Sequence, residues 1–186
     1  MAFDEKTIAA LVEKTLQSLK EEAKLYVHDN PVPQDSDGIY KDISTGIRAA
    51  NEGQIQLASL GLKKRKRIVD SIRKAAEENV ESIATIAHEE TGFGRIQDKI
   101  QKKLNAIHLT PGIEDLKTEV ISGDNGLVLI ERAPVGVIAS IEPATHPGSC
   151  IINHAISMIA AGNSIVFLPH PKGVKTAHYT VPLFNK

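Results

Sequence analysis

Cys150 is the single cysteine in 186 residues, and His146 and His154 stand four residues to either side of it. A thiol attacks only as the thiolate, and a neighbouring imidazole or a helix N-terminus lowers its pKa enough to supply one. This spacing makes a Cys-His pair conceivable. No third group that would orient the histidine is evident, and a free cysteine is usually a small buried hydrophobe, so the residue types favour packing. The basic pentamer at residues 63–67 could contact phosphates. On a helix such a run is more often a solvated face, and without an aromatic platform nucleic acid is not the expected partner. No metal site is read.

The elements that position these residues lie in residues 131–171, which read as strand, turn, helix and strand. Residues 135–141 form a short β-branched run, as expected of a parallel strand buried on both faces. Pro143, Thr145, Pro147 and Gly148 force a turn. From Ser149, the residues Ile152, Ala155, Ile156 and Ile159 recur at helical spacing, and Gly162 sits where a left-handed cap is wanted. A second buried strand follows at residues 165–168. A crossover of this kind places a binding crevice at the carboxyl ends of the strands.

Upstream, residues 4–24 carry Ile8, Leu11, Val12, Leu16 and Leu19 on one stripe, an amphipathic helix. Residues 25–38 read as an extended linker rich in Pro, Asp and Gly. A helix beyond such a linker either docks on a partner or folds back onto its own domain. Residues 42–51 and 60–91 read as two helices, the second long and ended by Gly92. Residues 119–130, with Gly123-Asp124-Asn125-Gly126 at the centre, are a hairpin signal.

Composition narrows the class. The formal charge is −1, so no global basic field recruits nucleic acid or an anionic membrane. One cysteine excludes an intrachain disulfide and fits a reducing cytoplasm. No run reaches membrane-spanning length.

The segments APVGVIASIEPATHP, IINHAISMIAAGNSIVF and LPHP, with Glu90-Thr91-Gly92-Phe93-Gly94, Asp98-Lys99 and residues 110–116 upstream, resemble blocks of the aldehyde dehydrogenase superfamily. They are most similar to its coenzyme A-acylating branch, which includes the propionaldehyde and acetaldehyde dehydrogenases of bacterial microcompartments. The resemblance implies an α/β fold: an incomplete Rossmann-type NAD-binding domain with preceding helices and an oligomerisation hairpin. It divides the chain into a targeting helix at 1–24, a linker at 25–38, a helical part at 39–117, the hairpin at 118–133 and the first βαβ unit at 134–186. The implied reaction takes aldehyde, coenzyme A and NAD to acyl-coenzyme A and NADH.

The resemblance also assigns residues. The backbone of Ile141, Glu142 and Pro143 and the turn at Thr145 would line the nicotinamide side. Leu168, Pro169, His170 and Pro171 would flank the adenosine end. His146 stands where the branch normally has an oxyanion-donating Asn, and a neutral imidazole can donate one hydrogen bond there. The family's nucleophile lies in a downstream domain, so Cys150 is not expected to be it, and the chain reads as an N-terminal portion, inactive alone. Pro182 and the residues after it no longer look like the family, and proline is expected to stop the last helix. The implied partners are other subunits of the same or a full-length chain, and a microcompartment shell through residues 4–24, with no nucleic acid and no membrane. A cytoplasmic or microcompartment location follows. The alternative reading is a non-catalytic protein that binds the shell or full-length subunits.

Overall fold

The computed structural model describes residues 37–185 together with residues 10, 12–15 and 17. The chain divides into two compact units, Met1–Pro33 and Gln34–Lys186. In the first, the described residues are helical and exposed, Val12 of the apolar stripe included. The rest of the expected helix at 4–24 and nearly all of the linker at 25–38 lie outside the described residues.

The second unit begins with α1 (Ile43–Ala58), longer than the expected 42–51. Asp42 caps it, accepting from the Thr45 N–H and the Thr45 hydroxyl at 2.8 Å each, which satisfies donors that the first turn leaves without partners. The long helix expected over 60–91 is two helices, α2 (Leu62–Glu78) and α3 (Val80–Thr91). Asn79 breaks it. Its side-chain amide donates to the Ala75 carbonyl at 2.8 Å and its side-chain oxygen accepts from the Tyr179 hydroxyl at 3.1 Å, so an Asn that competes with helical backbone bonding is held in that role by a distant residue. Gly92 closes α3 in the left-handed region, as expected.

A further helix, α4 (Ile96–Leu109), packs against α3. Its inward face carries Lys99 and Lys103 among the isoleucines, which hides the apolar period in the sequence. Arg73 of α2 donates to the Ile107 and Thr110 carbonyls and ties off its end.

Strands β1 (Glu119–Gly123) and β2 (Gly126–Ile130) form the expected antiparallel hairpin, exposed along its whole length. The βαβ unit follows as β3 (Val137–Glu142), α5 (Ser149–Ala160) and β4 (Ser164–Pro169), with β3 and β4 parallel and Ile141 opposite Leu168. A short turn at Pro171–Gly173 leads into α6 (Val174–Phe184). That helix runs through Pro182, where a stop was expected. Pro182 stands two residues from the helix end, so the one intrahelical bond it removes is the only regular interaction lost.

The core is a wedge of Val69, Ile72, Ala76, Ile83, Ile107, Ile152, Ala155, Ile156 and Ala160 from α2, α3, α4 and α5. Burial of one Ile contributes about 2 kcal/mol, so the wedge anchors α5 beneath the sheet. Only one face of β3 is covered. Ser140 and Glu142 point inward, whereas Ile141 is 81% exposed, which corrects the expectation of a strand buried on both faces. The described residues contain only two-stranded sheets, and Ala139 and Ile141 on the outer face of β3 are exposed.

Candidate active and cofactor site

The carboxyl ends of β3 and β4 lie side by side, and the His170 N–H donates to the Glu142 carbonyl at 3.0 Å. This brings together the residues that the sequence assigned to cofactor binding. Ile141, Pro143 and Thr145 line the β3 side, and Leu168, Pro169, His170 and Pro171 flank them on the β4 side. Glu142 differs: its carbonyl is taken by His170 and its carboxylate is 3% exposed, turned toward α5. Its contribution to the crevice is confined to backbone. The strand ends thus present an apolar edge and backbone, with the one carboxylate turned inward.

The turn between β3 and α5 is fixed from below. Gly148 has φ +76°, and a Cβ there would lie 2.6 Å from Ile83 Cγ2. Only glycine fits. The turn presents His146 outward, with Thr145 Oγ1 2.7 Å from His146 Nδ1. When that hydroxyl donates to Nδ1, the ring proton resides on Nε2 and points away as a donor. Partial burial, then the charges of Lys102, Lys99 and Lys103, hold the His146 pKa below its ordinary value. The shift favours the neutral imidazole.

Cys150 is not paired with either histidine. Burial first, and the Glu142 carboxylate that faces it second, push its thiol up to about 11. It is an inert thiol, as the packing reading held. His154 turns instead to Ser140 and Glu142: its Nδ1 lies 2.6 Å from Ser140 Oγ and 3.1 Å from Glu142 Oε1, while Ser140 Oγ donates to Glu142 Oε1 at 2.7 Å. Serine and carboxylate crowd the same ring nitrogen, so no proton relay runs from one through the imidazole to the other, as a hydrolytic triad requires. The cluster gives Oε1 of a buried carboxylate its hydrogen-bond partners and leaves Oε2 without one. It was not anticipated from the sequence. Ser140 and Glu142 are two apart on a strand and share its inner face, and that spacing was the available signal. Lys99 and Lys103, which stand beneath the turn, were likewise not anticipated.

A family model for the aldehyde dehydrogenase family matches residues 26–186. The chain belongs to the aldehyde dehydrogenase family. It is 44% identical over 149 residues to an acetylating acetaldehyde dehydrogenase of Bilophila wadsworthia, covering 80% of this chain and 30% of that protein. A solved propionaldehyde dehydrogenase from the Clostridium phytofermentans fucose utilisation bacterial microcompartment superposes with a TM-score of 0.77 at 41% identity, over 79% of this chain and 34% of that one. The Rhodopseudomonas palustris propionaldehyde dehydrogenase with bound propionyl-CoA gives 0.78 at 40% identity, over 80% of this chain and 33% of that one. The chain spans about a third of the length of these relatives. The fold is aldehyde dehydrogenase-like, and the homologues are coenzyme A-acylating. Among the described residues, no helix is long and apolar enough to cross a membrane.

Proposed function

We propose that this chain forms the cofactor-side part of an NAD-dependent, coenzyme A-acylating aldehyde dehydrogenase. The observation that carries the reading is the alignment of the β3 and β4 ends beside a turn that holds outward an imidazole whose neutral form is favoured. In the overall reaction an aldehyde and coenzyme A give the acyl thioester while a hydride passes to NAD, releasing one proton. Bound NAD supplies the hydride acceptor. The chain's own residues do the rest of what is assigned here. Ile141 and Pro143 shape an apolar floor, Leu168–Pro171 fence the far side, and His146 Nε2–H donates to the oxyanion formed when a thiolate supplied from outside residues 1–186 adds to the carbonyl. Cys150 takes no part.

Calorimetric titration of the chain with NAD tests the reading. Saturable binding that a bulky Pro143→Trp substitution abolishes supports it, and a flat trace for the unmodified chain removes the cofactor assignment.

A second reading, binding to other subunits without catalysis, is favoured by the hairpin, where Val120, Ile121, Leu127, Val128, Leu129 and Ile130 are all exposed. Such an apolar surface on an open strand pair calls for a covering chain. Val128→Lys should lower the sedimentation mass of any oligomer, and an unchanged mass would count against the hairpin as the contact. Residence in a microcompartment, guided by residues 4–24, belongs to the same reading. A reporter fused to residues 1–38 that stays diffuse would exclude it.

A further inference from the structure

Two helix N-termini in this molecule are treated differently. At the start of α6, Glu90 supplies a carboxylate that receives the Lys175 N–H at 2.7 Å, the Thr176 N–H at 2.9 Å and the Thr176 hydroxyl at 2.7 Å. At the start of α5 no side chain caps the helix. Instead a lysine is driven toward it. Lys103 of α4 is 1% exposed, and its Cε would lie 3.2 Å from a Cβ on Gly148, the residue immediately before α5. No carboxylate or hydrogen-bond acceptor among the described residues engages its ammonium group. The charges that act on it are those of Lys99, itself 7% exposed, and Lys102.

A positive side chain beside the positive end of a helix dipole is unfavourable, and burial compounds the cost. The Lys103 pKa is pushed down to about 7, with burial the largest cause and the charges of Lys99 and Lys102 next. Ser149, the first residue of α5, adds a buried hydroxyl with no partner. The backbone N–H groups of Gly148 and Ser149 have no acceptor either among the described residues. Apart from the Glu142 carboxylate, which faces Cys150 from β3 and keeps its own Oε2 without a partner, the unpaired groups in this corner are donors, and the charges acting on Lys103 are positive.

We infer that the N-terminus of α5, with Lys103 and Lys99, is a binding site for a small oxyanion group: a carboxylate, sulfonate or phosphate. The α5 N–H groups and the Ser149 hydroxyl donate to its oxygens, and Lys103 supplies the balancing charge. The group arrives either on the acidic end of an aldehyde held at the His146 turn or as free phosphate. The first source rests on the function proposed above; the site itself does not.

Amide and lysine-ammonium NMR of the full chain, titrated at constant ionic strength with sodium phosphate, succinate and chloride, tests the inference. Saturable shifts at Ser149, Cys150 and Ile151 with phosphate or succinate, absent with chloride and weakened about tenfold by Lys103→Met, are expected. Tighter binding of succinate, displaced by succinic semialdehyde, assigns the site to an acidic aldehyde; tighter binding of phosphate assigns it to the free ion. Shifts that follow ionic strength alike for all three salts, or saturation unchanged in the variant, overturn the site. Should Lys103→Met fail to fold, Lys99→Met and the Lys103 ammonium resonance of the unmodified chain decide: a resonance whose titration midpoint does not rise with phosphate or succinate overturns it equally.

Discussion

Glu90 and Thr176 stand 86 residues apart in the chain, and the carboxylate of one receives both the backbone N–H and the hydroxyl of the other. The contact joins the end of α3 to the start of α6 and holds the last helix under the β4 strand end. Burial raises the Glu90 pKa, but the donors of Thr176 and Lys175 outweigh it and leave the group below its ordinary value. The unfolded chain therefore binds this proton more readily than the folded one, so the contribution is full above the ordinary carboxylate range and is lost as pH falls through the folded pKa. Glu90→Ala is expected to cost about 1–2 kcal/mol at pH 7 and less at pH 3, measured by urea unfolding at both.

The linkage at Lys103 has the opposite direction. Its folded pKa is about 7 against 10.5 for an ordinary lysine, so between those values the unfolded state holds the proton that the folded state has released. Stability should rise with pH across that window, and the penalty for the charged form is complete below it. Lys103→Met should flatten the slope between pH 7 and 10. Urea midpoints that keep the same slope in the variant would show that Lys103 is not its source.

Gly148 is the position where the turn admits no other residue. An added Cβ meets Ile83 Cγ2 at 2.6 Å in a backbone region that L-residues rarely adopt. Gly148→Ala should destabilise by about 2–4 kcal/mol, the strain of the left-handed backbone added to overpacking. A thermal melt within one degree of the unmodified chain would mean that the turn relaxes freely.

Cys150 offers the simplest measurement. With a pKa of about 11 against 9.0 for the ordinary thiol, it exposes about a hundredfold less thiolate near pH 8. Its reaction with a disulfide reagent in the folded chain should be slower by at least that factor than in urea. Glu142→Gln should recover part of the rate, the smaller part, because burial is the larger cause.

Much of this architecture is written locally. The β3-turn-α5-β4 order follows from β-branched runs, two prolines and a helical period, and the hairpin from Gly123 and Gly126. What escaped the sequence depends on distant partners. Asn79 breaks a helix because Tyr179, 100 residues on, takes its side chain. The α4 period is obscured because two of its inward positions are lysines, a choice that packing alone would not make. The residues that the resemblance assigned to the cofactor side lie together at the carboxyl ends of β3 and β4. The Ser140–Glu142–His154 cluster was not legible, since two of its members read as ordinary alternation on a strand and the third as one polar residue of a helix.

The side-chain oxygen of Asn163 receives the N–H groups of Val135 and Gly136 at 2.6 and 2.9 Å. It stands 28 residues from Val135, and between them lie the whole of β3 and α5. The clasp closes a short loop that contains one strand of the parallel sheet and the helix that covers it, and delivers the chain to the start of the other strand. Loop-closure entropy grows only slowly with such lengths, and a contact of modest separation is reached early in a conformational search. On this ground residues 135–169 are expected to order before Glu90 captures α6. Asn163→Ala should slow refolding more than it speeds unfolding, the signature of a residue already engaged at the barrier.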